Sequence, residues 1–138
     1  MKKIDNFSRC LDVLKGANVQ KARQDEIYRM GLIGQFHLSF ELGWKALQAV
    51  LLGHGVQEAA TGSPREIFRL GYRVGFLREE TVWLDMLRSR NLSVHVYNEA
   101  EANELAARVL SSYLPALEGL LAVLEEKAVE IEAPEQDG

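Results

Sequence analysis

The sequence predicts an all-α fold, an antiparallel up-and-down four-helix bundle with one short extra helix. Three observations carry this. Apolar residues recur at helical spacing through most of the 138 residues. No segment alternates convincingly with the period of two that a half-buried strand would show. The turn signals fall between the helical runs, and two of these are helix starts, Ser63-Pro64-Arg65-Glu66 and Asn98-Glu99-Ala100-Glu101. Each pairs a capping residue with a glutamate three positions on.

Residues 3 to about 20 read as the first helix, with Phe7, Leu11, Leu14 and Ala17 or Asn18 on one face. Cys10 is read as plain packing on it. Gln20 to Asp25 is a polar connection or a continuation. The second helix runs from Asp25 to about Leu52 and is free of proline. Leu32, Phe36, Phe40, Leu47 and Val50 form its apolar stripe. A neighbouring strip of Met30, His37, Glu41, Trp44 and Gln48 mixes polar and aromatic groups. Gly31, Gly34 and Gly43 each cost about 1 kcal/mol relative to alanine in a helix interior, so close approach of another helix is expected there.

Gly53 to Gly62 is a loop. Ser63 and Pro64 then open a short third helix, ending by Gly71 or Gly75, which stacks Arg65, Arg69 and Arg73 at i, i+4 and i+8. The fourth helix runs from about Glu79 towards Asn98. The fifth, from about Glu99 to Lys127, has Leu105, Val109, Ser112, Ala116, Leu120 and Val123 as its stripe. Pro115 should kink it, because the Ser111 carbonyl loses its partner. Residues 1–132 make one domain and residues 133–138 a disordered acidic tail.

Apolar residues at 47% and charged residues at 26% are ordinary values for a globular domain that buries its own core. The lone Cys10 allows no internal disulfide, and no Cys/His cluster or Gly-rich phosphate loop points to a metal or cofactor. The N-terminus lacks a signal-peptide pattern, and no apolar run of about 18 residues is apparent, so a cytoplasmic protein without membrane contact is expected. The net charge of −4 argues against generic nucleic-acid binding. Residues 65–90, however, hold six arginines against four acids. That face can meet a phosphate, or it can simply be solvated.

The chemistry concentrates between Trp83 and Asn98. On a helix, Trp83, Leu87, Arg90, Val94 and Tyr97 fall within an arc of about 80°, a buried seam with polar groups set into it. Leu84, Arg88, Asn91 and His95 lie beside it. Asn91 and His95 are i, i+4 neighbours, so the amide can orient the imidazole. Histidine can serve as general acid or base, and arginine can stabilise a phosphorus-centred transition state. Together they suit metal-independent RNA cleavage. Arg90 and His95 nevertheless lie about 140° apart on an ideal helix, so they converge only at a frayed helix end or across a dimer. The structural alternative is an Arg90–Glu41 pair with His95 satisfied by a backbone carbonyl.

Three blocks, Phe36-His-Leu-Ser-Phe-Glu-Leu-Gly-Trp-Lys45, Gly62-Ser-Pro-Arg-Glu66 and Trp83 through Tyr97, resemble in order the nucleotidyltransferase substrate-binding proteins of the HEPN superfamily. The similarity ends with Tyr113-Leu-Pro115. The resemblance implies a bundle that homodimerises and binds a separate minimal nucleotidyltransferase chain. The family's motif falls on Arg90, His95 and Tyr97, with Asn91 after the arginine. In relatives that act as toxins, paired motifs cleave RNA until the partner attaches AMP to the motif tyrosine, here Tyr97. The other family role is to hold a small molecule or nucleotide for the transferase, near Glu41, Trp44 and Lys45, all of which this chain keeps. The Arg65/Arg69/Arg73 stripe would guide RNA. Gln35 and His37 replace residues that relatives commonly have as arginine and glutamate.

Overall fold

A computed structural model describes the backbone of residues 1–92 and 98–137, and the side chains of residues 1–92 and 98–131. Val94, His95 and Tyr97 lie outside the described residues. The chain is all-helical, with no strand among the described residues.

Helix α1 is Lys2–Lys15, and it buries Ile4, Phe7, Cys10, Leu11 and Leu14. It stops earlier than the sequence suggested, because Asn18 starts a separate helix, α2, Val19–Gln24. The Asn18 side chain accepts from the amides of Gln20 and Lys21 at 2.9 and 3.1 Å. Asp25 then caps α3, Glu26–Gly53, through the Tyr28 amide. This long helix is central, packing against α1, α2 and the helices that follow. All five residues of its expected stripe are buried.

The three α3 glycines divide. A Cβ on Gly43 would sit 3.0 Å from the Phe7 ring, so the close approach expected there is real. At Gly31 and Gly34 a Cβ would meet nothing within 4 Å among the described residues, so no close approach like that at Gly43 is found there.

After a 3₁₀ turn at Gln57–Ala60, Ser63 caps α4, Pro64–Arg73, with Pro64 in the first turn. Helix α5 is Glu80–Leu92. Its expected seam of Trp83, Leu87 and Arg90 is turned in the structure, where Trp83, Met86 and Ser89 are the buried residues. Met86 enters the apolar core there, and Ser89 and Asp85 meet a polar partner described below. Asn98 caps α6, Glu99–Arg108, and its Oδ1 accepts from the Glu101 amide at 2.8 Å.

A π-helical turn, Val109–Tyr113, leads from α6 into α7, Leu114–Asp137. The Leu114 amide reaches back to the Val109 carbonyl, one residue further than in an α-helix. Pro115, with no N–H to give Ser111, follows at once, so the register change sits where the ordinary ladder is broken anyway. It also corrects the expected stripe. Ser112 is exposed, and Tyr113, Leu117 and Leu124 are buried instead.

The helical assignment of α7 reaches Asp137, into the stretch read from sequence as a tail. The run from Glu99 to Ile131 is, by length and composition, long and apolar enough to cross a membrane, contrary to the expectation from sequence. Here α7 packs on α1 and α3, and Leu105, Val109, Leu117, Leu120 and Leu124 enter the core.

Candidate functional site

An aromatic spine supports the site. Trp83 of α5 lies 5.2 Å from Phe68 of α4, which meets Phe40 of α3 edge-on at 5.5 Å. Phe36, one turn away, stacks on Tyr113 at 5.1 Å. Arg90 reaches over this spine, its guanidinium carbon 5.8 Å from the Phe40 ring centre, within cation–π range.

Arg90 pairs through Nη2 with the Glu41 carboxylate, joining α5 to α3. The other Glu41 oxygen accepts from Trp44 Nε1 at 3.1 Å, and Lys45 Nζ lies 5.9 Å from the Trp44 ring. Glu41, Trp44, Lys45 and Arg90, proposed from sequence on two separate helices, are thus one cluster. The side chains of Arg90 and Glu41 are 33% and 28% exposed, but Oε1, the Glu41 oxygen that meets Arg90, is itself buried. Arg90 Nη1 also donates to Asn91 Oδ1 at 3.3 Å, which turns the asparagine oxygen towards the arginine. Its expected neighbour His95 lies outside the described residues.

His37 belongs to the cluster although sequence reading gave it little weight. It lies one turn before Glu41, and its ring meets Phe36 at 5.6 Å. Burial, and then the Arg90 charge, hold its pKa below the ordinary value, while Glu41 pulls weakly the other way. At neutral pH the imidazole is therefore uncharged. Unfolded chain binds the proton near the ordinary value of about 6.5, whereas folded chain resists it. Stability is complete above that pH and falls as pH drops below it, until the folded imidazole takes its own proton. His37→Gln should flatten this acid limb of the melting-temperature profile; a limb unchanged from wild type would assign it to other groups.

Tyr113 is the second residue the sequence did not reveal. Its hydroxyl donates to Asp85 Oδ2 at 2.6 Å and lies 2.7 Å from Ser89 Oγ. Burial, and then the Asp85 hydrogen bond, push the phenol pKa up, so it stays a donor. Ser89 immediately precedes Arg90, so this anchor fixes how α5 presents the arginine. Tyr113→Phe would leave Ser89 and Asp85 without their partner and should cost about 1–3 kcal/mol in denaturant unfolding. Its quoted family block, Tyr113-Leu-Pro115, was the available signal.

Arg65, Arg69 and Arg73 are exposed on α4, and Arg73 pairs with Glu58 at 2.9 Å. They form a surface stripe on a different helix from the Arg90 cluster. Among the described residues no group of His, Cys, Asp and Glu is placed to share a metal ion.

The family described as nucleotidyltransferase substrate binding protein like matches residues 2–126. The chain belongs to that family. The span includes every described residue of the Arg90 cluster and the whole Tyr113 anchor. A crystal structure of a protein from Thermus thermophilus is similar at 28% identity and a TM-score of 0.61, covering 91% of this chain and 98% of that one. None of the curated proteins matches.

Proposed function

We propose that this chain is the helical subunit of a two-component, cytoplasmic minimal nucleotidyltransferase system, and that it is itself a metal-independent ribonuclease toxin of the HEPN type. In this reading the helices form an antiparallel up-and-down four-helix bundle, two copies pair, and the partner silences the enzyme by attaching AMP to Tyr97. The observation that carries it is the Arg90 guanidinium, half-buried and held in place by Glu41 and the Phe40 ring. Held this way, it is positioned before any substrate arrives.

Arg90 would hold the scissile phosphate of RNA. His95 would take the proton of the 2′-hydroxyl as that oxygen attacks phosphorus, and the 5′-oxygen would leave with a proton returned to it. Asn91 would steady the motif, and Arg65, Arg69 and Arg73 would guide the strand. Pairing of two copies is supported by a face of α3 that none of the described residues covers. Ile27, Gly31, Gly34 and Leu38 lie on one arc, Ile27 is 85% exposed, and the two glycines leave room for another backbone. Purified chain without its partner should cleave RNA in the presence of a chelator; an inert chain, correctly folded, would remove the ribonuclease part of the reading.

A second reading is favoured by one observation. Trp44, Glu41, Arg90 and His37 together present a ring, a carboxylate, a cation and a neutral imidazole in one half-buried cluster. Such a set suits a small molecule or nucleotide offered to the transferase. Here the chain would be a non-catalytic subunit, and it would leave RNA intact.

A further inference from the structure

The outward side of α4 carries groups that the fold does not use. Ile67, Phe68, Leu70 and Gly71 are buried and seat the helix on its neighbours. Arg65, Arg69, Tyr72 and Arg73 fall within an arc of about 100° on the opposite side. All four are exposed, and Tyr72 is 47% exposed despite its size. Neither Arg65 nor Arg69 pairs with a carboxylate among the described residues. The Tyr72 side chain has no ring or hydrogen-bond partner among them either. An aromatic ring left half in water among cations adds little to the core.

The stripe stands on a fixed support. The chain leaves α4 through a tight turn at Gly75, φ 87°, where the Gly75 amide donates to the Tyr72 carbonyl at 3.1 Å. The Phe76 and Leu77 amides both return to the Gly71 carbonyl. The last turn of α4, which carries Tyr72 and Arg73, is thus held by its own cap. Arg65, Arg69 and Arg73 repeat in steps of about 6 Å along the axis, and Tyr72 lies one turn after Arg69. The helix holds three arginines against one glutamate, Glu66, in a chain whose net charge is −4. Glu58 offsets part of that charge, because it pairs with Arg73.

We infer that this stripe binds single-stranded RNA, with Arg65 and Arg69 on phosphates and one unpaired base stacked on the Tyr72 ring. The choice of RNA rests on the ribonuclease reading above; the stacking role of Tyr72 goes beyond it. A cationic stripe alone would hold any polyanion. A ring set among the cations favours a strand whose bases are free, because paired bases already stack on one another. Phe68, which leads through Phe40 towards Arg90, leaves α4 on another side. The stripe therefore meets nucleotides that flank the cleaved bond instead of those that form it.

The test is fluorescence anisotropy of the full chain with a labelled 2′-O-methyl oligoadenylate, which lacks the hydroxyl that cleavage needs. Saturable binding is expected, weakened about 5–100-fold by Tyr72→Ala and kept within about twofold by Tyr72→Phe. Tyr72→Ala should leave the salt dependence unchanged. Arg65→Gln and Arg69→Gln should each lower the slope of log affinity against log salt by about 0.7, and Glu58→Gln, which frees Arg73, should tighten binding. Every substituted position is exposed, so the variants keep the fold. Cleavage of unmodified RNA by the wild-type chain is scored separately, so the ribonuclease reading can fail while the surface stands, or the reverse. Absence of binding, equal binding of the same strand in a duplex, or binding that Tyr72→Ala does not weaken would overturn the assignment. Displacement of the strand by polyglutamate at equal charge would overturn it too, and would mark a docking surface for an acidic protein.

Discussion

Replacing His95 with alanine is expected to slow RNA cleavage by the isolated chain about 10²–10⁴-fold, the range a general acid–base group supplies. The melting temperature should barely change, and growth inhibition by the chain expressed alone should be relieved. His37 is the control that makes this informative. It lies in the same cluster as Arg90 and is kept neutral by burial and by the arginine's charge, so it too can accept a proton. Because the proton transfer is assigned to His95, His37→Gln should cost far less activity. If His37→Gln abolished cleavage and His95→Ala did not, the proton would pass through α3, and the motif histidine would have no catalytic role.

Arg90→Gln carries the second large effect, and its two readouts should separate. Loss of a transition-state charge stabiliser costs about 10²–10³-fold in rate. The stability cost should stay at about 1–3 kcal/mol, because the side chains are about a third exposed but the Glu41 oxygen left behind is buried. A purely structural arginine would behave in the opposite way. Breaking a fully buried pair costs about 3–5 kcal/mol, and the variant would then unfold before its activity could be compared. Glu41→Gln completes the comparison. It should leave the fold intact and weaken cleavage less than Arg90→Gln does, since the Phe40 ring and Asn91 still hold the guanidinium.

Much of this was legible in the chain wherever a local signal decided the outcome. Ser63-Pro64 and Asn98-Glu-Ala-Glu101 start helices where they stand, because a cap bonds amides only two or three residues away. The α3 stripe and its neighbouring polar–aromatic strip both follow from helical spacing, so Glu41 and Trp44 were found before any partner was known. What the spacing missed depends on distant residues. The buried side of α5 runs through Met86 and Ser89, where Met86 joins the core and Ser89 and Asp85 meet the Tyr113 hydroxyl, 24 residues away from Ser89. The π turn moves burial from Ser112 to Tyr113, and Pro115 announced a disturbance there without giving its form. Arg29 looks like any surface arginine in the sequence, yet it is 4% exposed. Only the meeting of α2, α3 and α6 removes it from water.

The most direct test of the central claim is the intact mass of this chain after co-expression with a minimal nucleotidyltransferase of the kind its family name implies. The expected result is a complex in which this chain carries one or more AMP units, located on Tyr97 by fragmentation, and a chain that no longer cleaves RNA until they are removed. A complex that forms with Tyr97 unmodified, and that is as inert towards RNA as the chain alone, would contradict the claim and leave the chain a binding subunit.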